Sequence, residues 1–205
     1  GSIASVFLLM AVGFLYSSIG SLNMAVISQN AGQLNPSLLK VITLLLLIGI
    51  GMEAELFPMN LWVPEVYSKS YIGVTALLSG VLSVAGIYAM VRVYFTMFGS
   101  TDILIYITVI GAITLLFGEF IAYQQKNIKK MLAYSSIAQM GLVMTVITFN
   151  TAGSIQAGLF QLMNHSILKV LLFISAGFMV YAVGSSKIED LAGLGKKTPV
   201  AAFGF

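Results

Sequence analysis

Six predominantly apolar runs, each long enough to cross a lipid bilayer, occupy most of this chain: Gly1 to Gly20, Pro36 to Phe57, Tyr71 to Phe98, Asp102 to Tyr123, Met131 to Phe149 and Ile155 to Val183. A helix needs about 20 apolar residues to cross the hydrocarbon core, where every backbone N–H and C=O has to be satisfied within the helix. The pattern therefore predicts an all-α, polytopic transmembrane bundle, a single domain over residues 1–205. Asn35-Pro36, Pro58, Pro64, Gly99-Ser100 and Gly184-Ser185-Ser186 supply the helix-stop chemistry at the joints. A seventh run opens at Pro199 and reaches Phe205, so the chain is read as part of a longer subunit. No basic stretch precedes the run that opens at Gly1, and no cleavable leader is expected.

Composition narrows the function classes. The chain is 59% hydrophobic and 8% charged, whereas a soluble domain carries roughly 25% charged residues. Without cysteine, it forms no disulfide and ligates no iron–sulfur cluster. No metal site, no cofactor and no catalytic residue is expected in it. A net charge of +3 is too small to argue for nucleic acid, and the lysines gather at the ends of the runs. The side on which the first run starts receives Lys69, Lys126, Lys129, Lys130, Lys187, Lys196 and Lys197, while the other side receives Lys40 and Arg92. The positive-inside rule places the first group, with loops 58–70, 124–130 and 184–198, in the cytoplasm of a multi-pass cell-membrane protein.

Lys169 interrupts the sixth run near its middle, and His165 and Gln161 precede it by one and two helical turns, so the three share one face. A charge at that depth costs from about 3 to more than 10 kcal/mol unless water or a partner compensates it. Lys169 is the first candidate for a proton relay, with a permanently paired ion as the alternative. His165 titrates near neutrality in its unperturbed state and is the second; an interior hydrogen-bonded histidine is its alternative. Gln161 cannot titrate and reads as a water-holding or packing amide.

The second run ends on Glu53 and Glu55, followed by Pro58. Pro58 removes the amide that would serve the carbonyl of residue 54, so the helix is expected to kink or break there. Broken helices at membrane depth line cavities and recur at ion sites in transporters. On a continuous helix the two glutamates lie roughly 200° apart and cannot face one channel. Glu53, the deeper, is the relay candidate, and Glu55 reads equally well as solvated at the interface. Glu119, a turn from the end of the fourth run, is a channel-lining candidate, with snorkelling or helix pairing as the alternative. Tyr134, Ser135, Ser136 and Gln139 open the fifth run after Lys129 and Lys130, where they suit either helix-end hydrogen bonding or a wet cytoplasmic entrance.

Several stretches together resemble a known family. Gly20-Ser-Leu-Asn-Met24, Leu56-Phe-Pro-Met-Asn-Leu-Trp-Val-Pro-Glu65, Ala76-Leu-Leu-Ser-Gly-Val81 and Gly86-Ile-Tyr88 through Arg92 match it in order. So do Asn127-Ile-Lys-Lys-Met-Leu-Ala-Tyr-Ser-Ser136 with Gln139-Met-Gly141, Leu159-Phe-Gln-Leu-Met-Asn-His165 through Lys169, and Asp190-Leu-Ala-Gly-Leu-Gly195. The chain is thereby identified as resembling the antiporter-like, proton-translocating membrane subunits of respiratory complex I, Mrp cation/proton antiporters and energy-converting hydrogenases.

The resemblance implies a subunit of about fourteen helices, of which this chain supplies the sixth through eleventh and the start of the twelfth. It implies proton translocation, with sodium as a second candidate ion, coupled to redox chemistry in partner subunits of an NADH-quinone oxidoreductase-like or hydrogenase-like complex. Partners would be other membrane subunits, antiporter-like ones included, and the lipid bilayer. Lys169 matches one of the family's central lysines and His165 a relay histidine. Two positions depart: the lysine before the broken-helix proline is Glu53, and an eighth-helix lysine or histidine is Val84, with Ser83 beside it as a channel-lining candidate. An Mrp-type antiporter subunit without a redox partner and a non-conducting scaffold are the alternatives.

Overall fold

Apolar runs, once helical, leave only their caps and interruptions to shape the bundle, and these decide where each helix starts and stops. The computed structural model describes residues 2–98, 101–196 and 198–205; the expected joint at Gly99-Ser100, Gly1 and Lys197 fall outside them. In order, the helices are α1 (Ser2–Ile19), α2 (Met24–Asn30), α3 (Pro36–Glu53), α4 (Val63–Lys69), α5 (Ile72–Phe98), α6 (Thr101–Tyr123), α7 (Ile128–Ile147), α8 (Ala152–Val183) and α9 (Pro199–Gly204). Short 3-10 turns sit at Ala31–Gln33, Ile188–Leu191 and Leu194–Lys196. Six of the helices, α1, α3, α5, α6, α7 and α8, are long and apolar enough to cross a membrane.

Capping side chains account for the boundaries that differ from the apolar runs. α7 begins at Ile128 rather than Met131 because Asn127 accepts hydrogen bonds from the amides of Lys129 and Lys130. A capping box between Thr151 and Ser154 starts α8 at Ala152, and Gly184, left-handed at φ 75°, ends it. At 32 residues α8 is about 48 Å long, well beyond the bilayer core, and Lys169 lies close to its midpoint.

The second expected break is real but lies upstream of Pro58. α3 ends at Glu53, Glu55 adopts φ 60°, and the Leu56 amide bonds back to the Gly51 carbonyl at 2.9 Å. That is the hydrogen bond of a Schellman ending, so the helix is already closed before the proline is reached. Beyond it, the segment expected as the loop 58–70 holds α4, whose Val63, Pro64 and Tyr67 are buried against α7.

Loops 58–70 and 124–130 and the described part of loop 184–198 lie at one end of the bundle, as their common side in the topology requires. Lys130 of α7 pairs with Glu65 of α4 at 2.5 Å. The Ile128 amide donates to the Ser186 carbonyl and the Ile188 amide to the Lys126 carbonyl, at 3.0 and 2.9 Å. Two apolar clusters fill the interior. One joins Ile42, Leu46, Ile87, Met90, Met140, Met144 and Leu162; the other joins Val63, Tyr67, Ala76, Leu132, Ile137, Phe173 and Met179. α6 and α7 approach closely because Gly141 has no Cβ to strike the Leu115 amide and the Gly111 carbonyl.

Candidate functional site

Between the two clusters α5, α7 and α8 bring their polar residues together near mid-length. Lys169 and His165 are 4% and 2% exposed. The Lys169 ammonium donates to the Ser135 hydroxyl at 2.9 Å and the Leu132 carbonyl at 3.2 Å. Among the described residues the ion pairs are Lys69–Glu65 and Lys130–Glu65, so no carboxylate touches Lys169. His165 Nε2 is 3.4 Å from the Ser136 hydroxyl, which lies 3.1 Å from the Ser79 hydroxyl. Gln161 donates to Gln139 at 2.8 Å one turn further along α8.

α5 widens locally into a π turn at Leu78–Leu82. This turn carries Ser79 and precedes Ser83; both are buried. Ser83 donates to the Ser79 carbonyl at 2.8 Å, and Ser166 of α8 donates to the Gly80 carbonyl at 2.5 Å. π turns disturb the regular i to i−4 ladder, and here side-chain hydroxyls take up the carbonyls. Val84 is half-buried and faces an apolar cavity of about 720 Å³ with Tyr88, Leu159 and Met163, away from the serine cluster.

The helix break brings in a residue that the helical period had set aside. Glu55 is fully buried, and its Oε1 accepts a hydrogen bond from the Tyr67 hydroxyl of α4. Its Oε2 has no hydrogen-bond partner among the described residues; the Ser136 and Ser83 hydroxyls lie near the carboxyl group, and the Lys169 charge acts on it through space. The opposed projection of Glu53 and Glu55 holds only on a continuous helix; the left-handed residue at the break swings the second glutamate inward. Glu53 is half-buried, and its side chain makes no hydrogen bond or ion pair among the described residues. A non-glycine residue in the left-handed region costs roughly 1–2 kcal/mol.

The break is held by its neighbours. Thr114 of α6 donates to the Ile110 carbonyl at 2.6 Å and accepts the Phe57 amide at 3.0 Å, and Trp62 donates to the Met52 carbonyl at 3.3 Å. Gly86 of α5 lets the end of α3 come close: a Cβ there would lie 2.7 Å from the Ala54 amide nitrogen.

Of the sequence-derived candidates, Lys169, His165, Ser135, Gln139, Gln161 and Ser83 are drawn into this region. Tyr134 is half-buried beside the second apolar cluster. Glu119 is exposed on α6 among Leu116, Phe120 and Tyr123 and bonds to none of the site's groups, although its charge acts on Lys169 through space. The sequence singled out neither Ser79 nor Tyr67, and it left Glu55 evenly balanced between a site residue and a solvated one. Ser79 and Ser83 are one helical turn apart, a signal available in the sequence; for Tyr67 no local signal exists.

The chain matches the NADH:quinone oxidoreductase/Mrp antiporter transmembrane family over residues 1–205. It is 31% identical to NADH-quinone oxidoreductase subunit N of Desulforudis audaxviator, covering 98% of this chain and 41% of that protein. It is 30% identical to a Na(+)/H(+) antiporter subunit of Bacillus subtilis, over 99% of this chain and 42% of the relative. A chain in the membrane-bound sulfane sulfur reductase, an archaeal respiratory membrane complex, superposes with a TM-score of 0.92 at 35% identity, over 100% of this chain and 42% of that one. The chain thus spans less than half the length of these relatives. On the match along its whole length, it belongs to the antiporter-like membrane subunit family of NADH:quinone oxidoreductases and Mrp antiporters.

Proposed function

We propose that this chain forms the central part of an antiporter-like subunit that carries protons across the membrane, within a respiratory-type complex whose redox centres reside in other subunits. The observation that carries the proposal is Lys169: a buried ammonium at mid-helix, held by a hydroxyl and a backbone carbonyl instead of a carboxylate. An ion kept only to fix packing would be paired, because an unpaired buried charge is costly. Held by neutral acceptors, this amine can release its proton without leaving a stranded anion in contact.

His165, Ser136 and Ser79 continue the row towards α5, and Gln161 with Gln139 extends it along α8. Hydroxyls both donate and accept, which suits passing protons between ionisable groups. The lysine-rich end of the bundle faces the cytoplasm, following the positive-inside rule. Other antiporter-like subunits are the expected neighbours in the membrane.

The test is proton flux into proteoliposomes containing the complete complex, read with pH- and sodium-sensitive dyes. Lys169→Ala and Lys169→Met should abolish translocation while the complex still assembles. Unaltered flux in both variants would make the chain a scaffold. The likeness to the Na(+)/H(+) antiporter subunit of Bacillus subtilis favours a second version, cation/proton exchange without a redox partner; copurifying flavin or iron–sulfur subunits would exclude it.

A further inference from the structure

We propose that Glu55, and not Glu53, is the proton-exchanging carboxylate of the broken helix, and that it exchanges with His165 by way of the Ser136 hydroxyl. The inference rests on the proton-carrying role proposed for the Lys169 row and assigns that row an acidic end.

Three independent observations support it. First, Glu55 is wholly buried, whereas Glu53 is only half-buried. Second, the carboxyl group is only half satisfied: Oε1 receives the Tyr67 hydroxyl and Oε2 is bare. A bare buried oxygen is expensive, and a buried group left in that condition is placed to take up a proton there. Third, Glu55 occupies the left-handed position of a helix ending, at φ 60°, where glycine is the residue of least cost. A backbone selected for folding alone would place glycine there; the side chain must supply something else.

The surroundings define the exchange. Facing Glu55 are Tyr67 from α4, Ser83 from α5 and Ser136 from α7, with Lys169 and His165 from α8 behind them; Glu53, from α3 itself, is the nearest other carboxylate in sequence. Oε2 and the Ser136 hydroxyl are not hydrogen-bonded in this structure; when they close, the carboxyl O–H of protonated Glu55 gives its proton to the Ser136 oxygen as the proton already on Ser136 moves to His165 Nε2. One O–H bond is broken at Glu55, one N–H bond is formed at His165, and Ser136 ends as a hydroxyl again. The products are a carboxylate and an imidazolium, and rotation of the Ser136 hydroxyl resets the path.

The experiment compares Glu55→Gln, Glu55→Gly and Glu53→Gln in the complete complex, with Lys169→Met as control. Proton flux in proteoliposomes and pH-dependent infrared difference spectra of the carboxyl C=O band are both read. Glu55→Gln and Glu55→Gly should lower flux by about tenfold or more, and Glu53→Gln by less than about twofold. The band of a buried protonated carboxyl should vanish in Glu55→Gln and persist in Glu53→Gln. Glu55→Gly suits the left-handed backbone, so the complex should assemble, and its loss of flux cannot be ascribed to misfolding. Normal flux in Glu55→Gln, or a band that survives it, overturns the assignment. If Lys169→Met stops transport while Glu55→Gln does not, only this inference fails; if Lys169→Met transports normally, the proposed function fails with it.

Discussion

The ammonium of Lys169 lies 2.9 Å from the hydroxyl of Ser135, its neighbour across the α7–α8 interface. That hydroxyl is the only side chain among the described residues bonded to the amine, so Ser135 positions the amine. A hydrogen bond to a charged group contributes about 1.5–3 kcal/mol. Ser135→Ala should therefore slow proton flux about tenfold, and Ser135→Thr, which retains a hydroxyl, should recover most of it. Equal flux in Ser135→Ala and the parent complex would remove Ser135 from the row.

Thr114 is the support on which the broken helix rests. Thr114→Val keeps the shape but leaves the Phe57 amide without an acceptor, at a cost of about 1–3 kcal/mol. Thr114→Ser should be close to neutral. Both are measured as shifts in the unfolding midpoint in mixed micelles. A neutral Thr114→Val would mean that the freed amide finds another acceptor.

Gln161 and Gln139 make a hydrogen bond that a double-mutant cycle can isolate. Either single change to Leu strands one half-buried amide, and the double change strands none, so the two losses should be strongly non-additive. A coupling of about 0.6–2 kcal/mol is expected inside a membrane bundle. Additive losses would show that the two amides act separately.

Outside the bilayer, Glu65 has an acid-sensitive role. Lys130, first through its hydrogen bond, and Lys69 hold its carboxyl at about 2, below the ordinary carboxylate range. Because the folded value is the lower one, the stabilisation is present above the unfolded value of about 4.3 and is lost as the pH falls towards 2. Glu65→Gln should flatten the fall in melting temperature over that window. The effect should be small and should shrink in high salt, since all three groups are solvent-accessible. An unchanged acid limb would show that the cluster is energetically silent.

The spans were legible because a bilayer-length apolar run has few other ways to fold, and boundary errors stayed within a few residues, as at Asn127, whose cap begins α7 ahead of the apolar stretch. Lys169, His165 and Gln161 were legible as one face because α8 is regular throughout. Glu55 was not: helical periodicity assigns directions only while the helix continues, and the left-handed turn at this residue cancels the assignment. Tyr67 was hidden for a related reason, since an expected loop turned out to contain a buried helix. Glu119 kept the period but faces outward, a distinction that periodicity alone does not make. Val84 was matched to a family position by resemblance alone, and the π turn ahead of it brings Ser83, not Val84, to the serine cluster.

The two apolar clusters flank the ionisable row towards both ends of the bundle, like insulation around a conductor. A hydrogen ion that reached Lys169 would meet greasy packing in either vertical direction, so leakage straight through the bundle is suppressed. If the proposed row carries protons, the hand-over between α5, α7 and α8 is crosswise to the helices, and its openings to either side of the membrane must bypass these two packed regions.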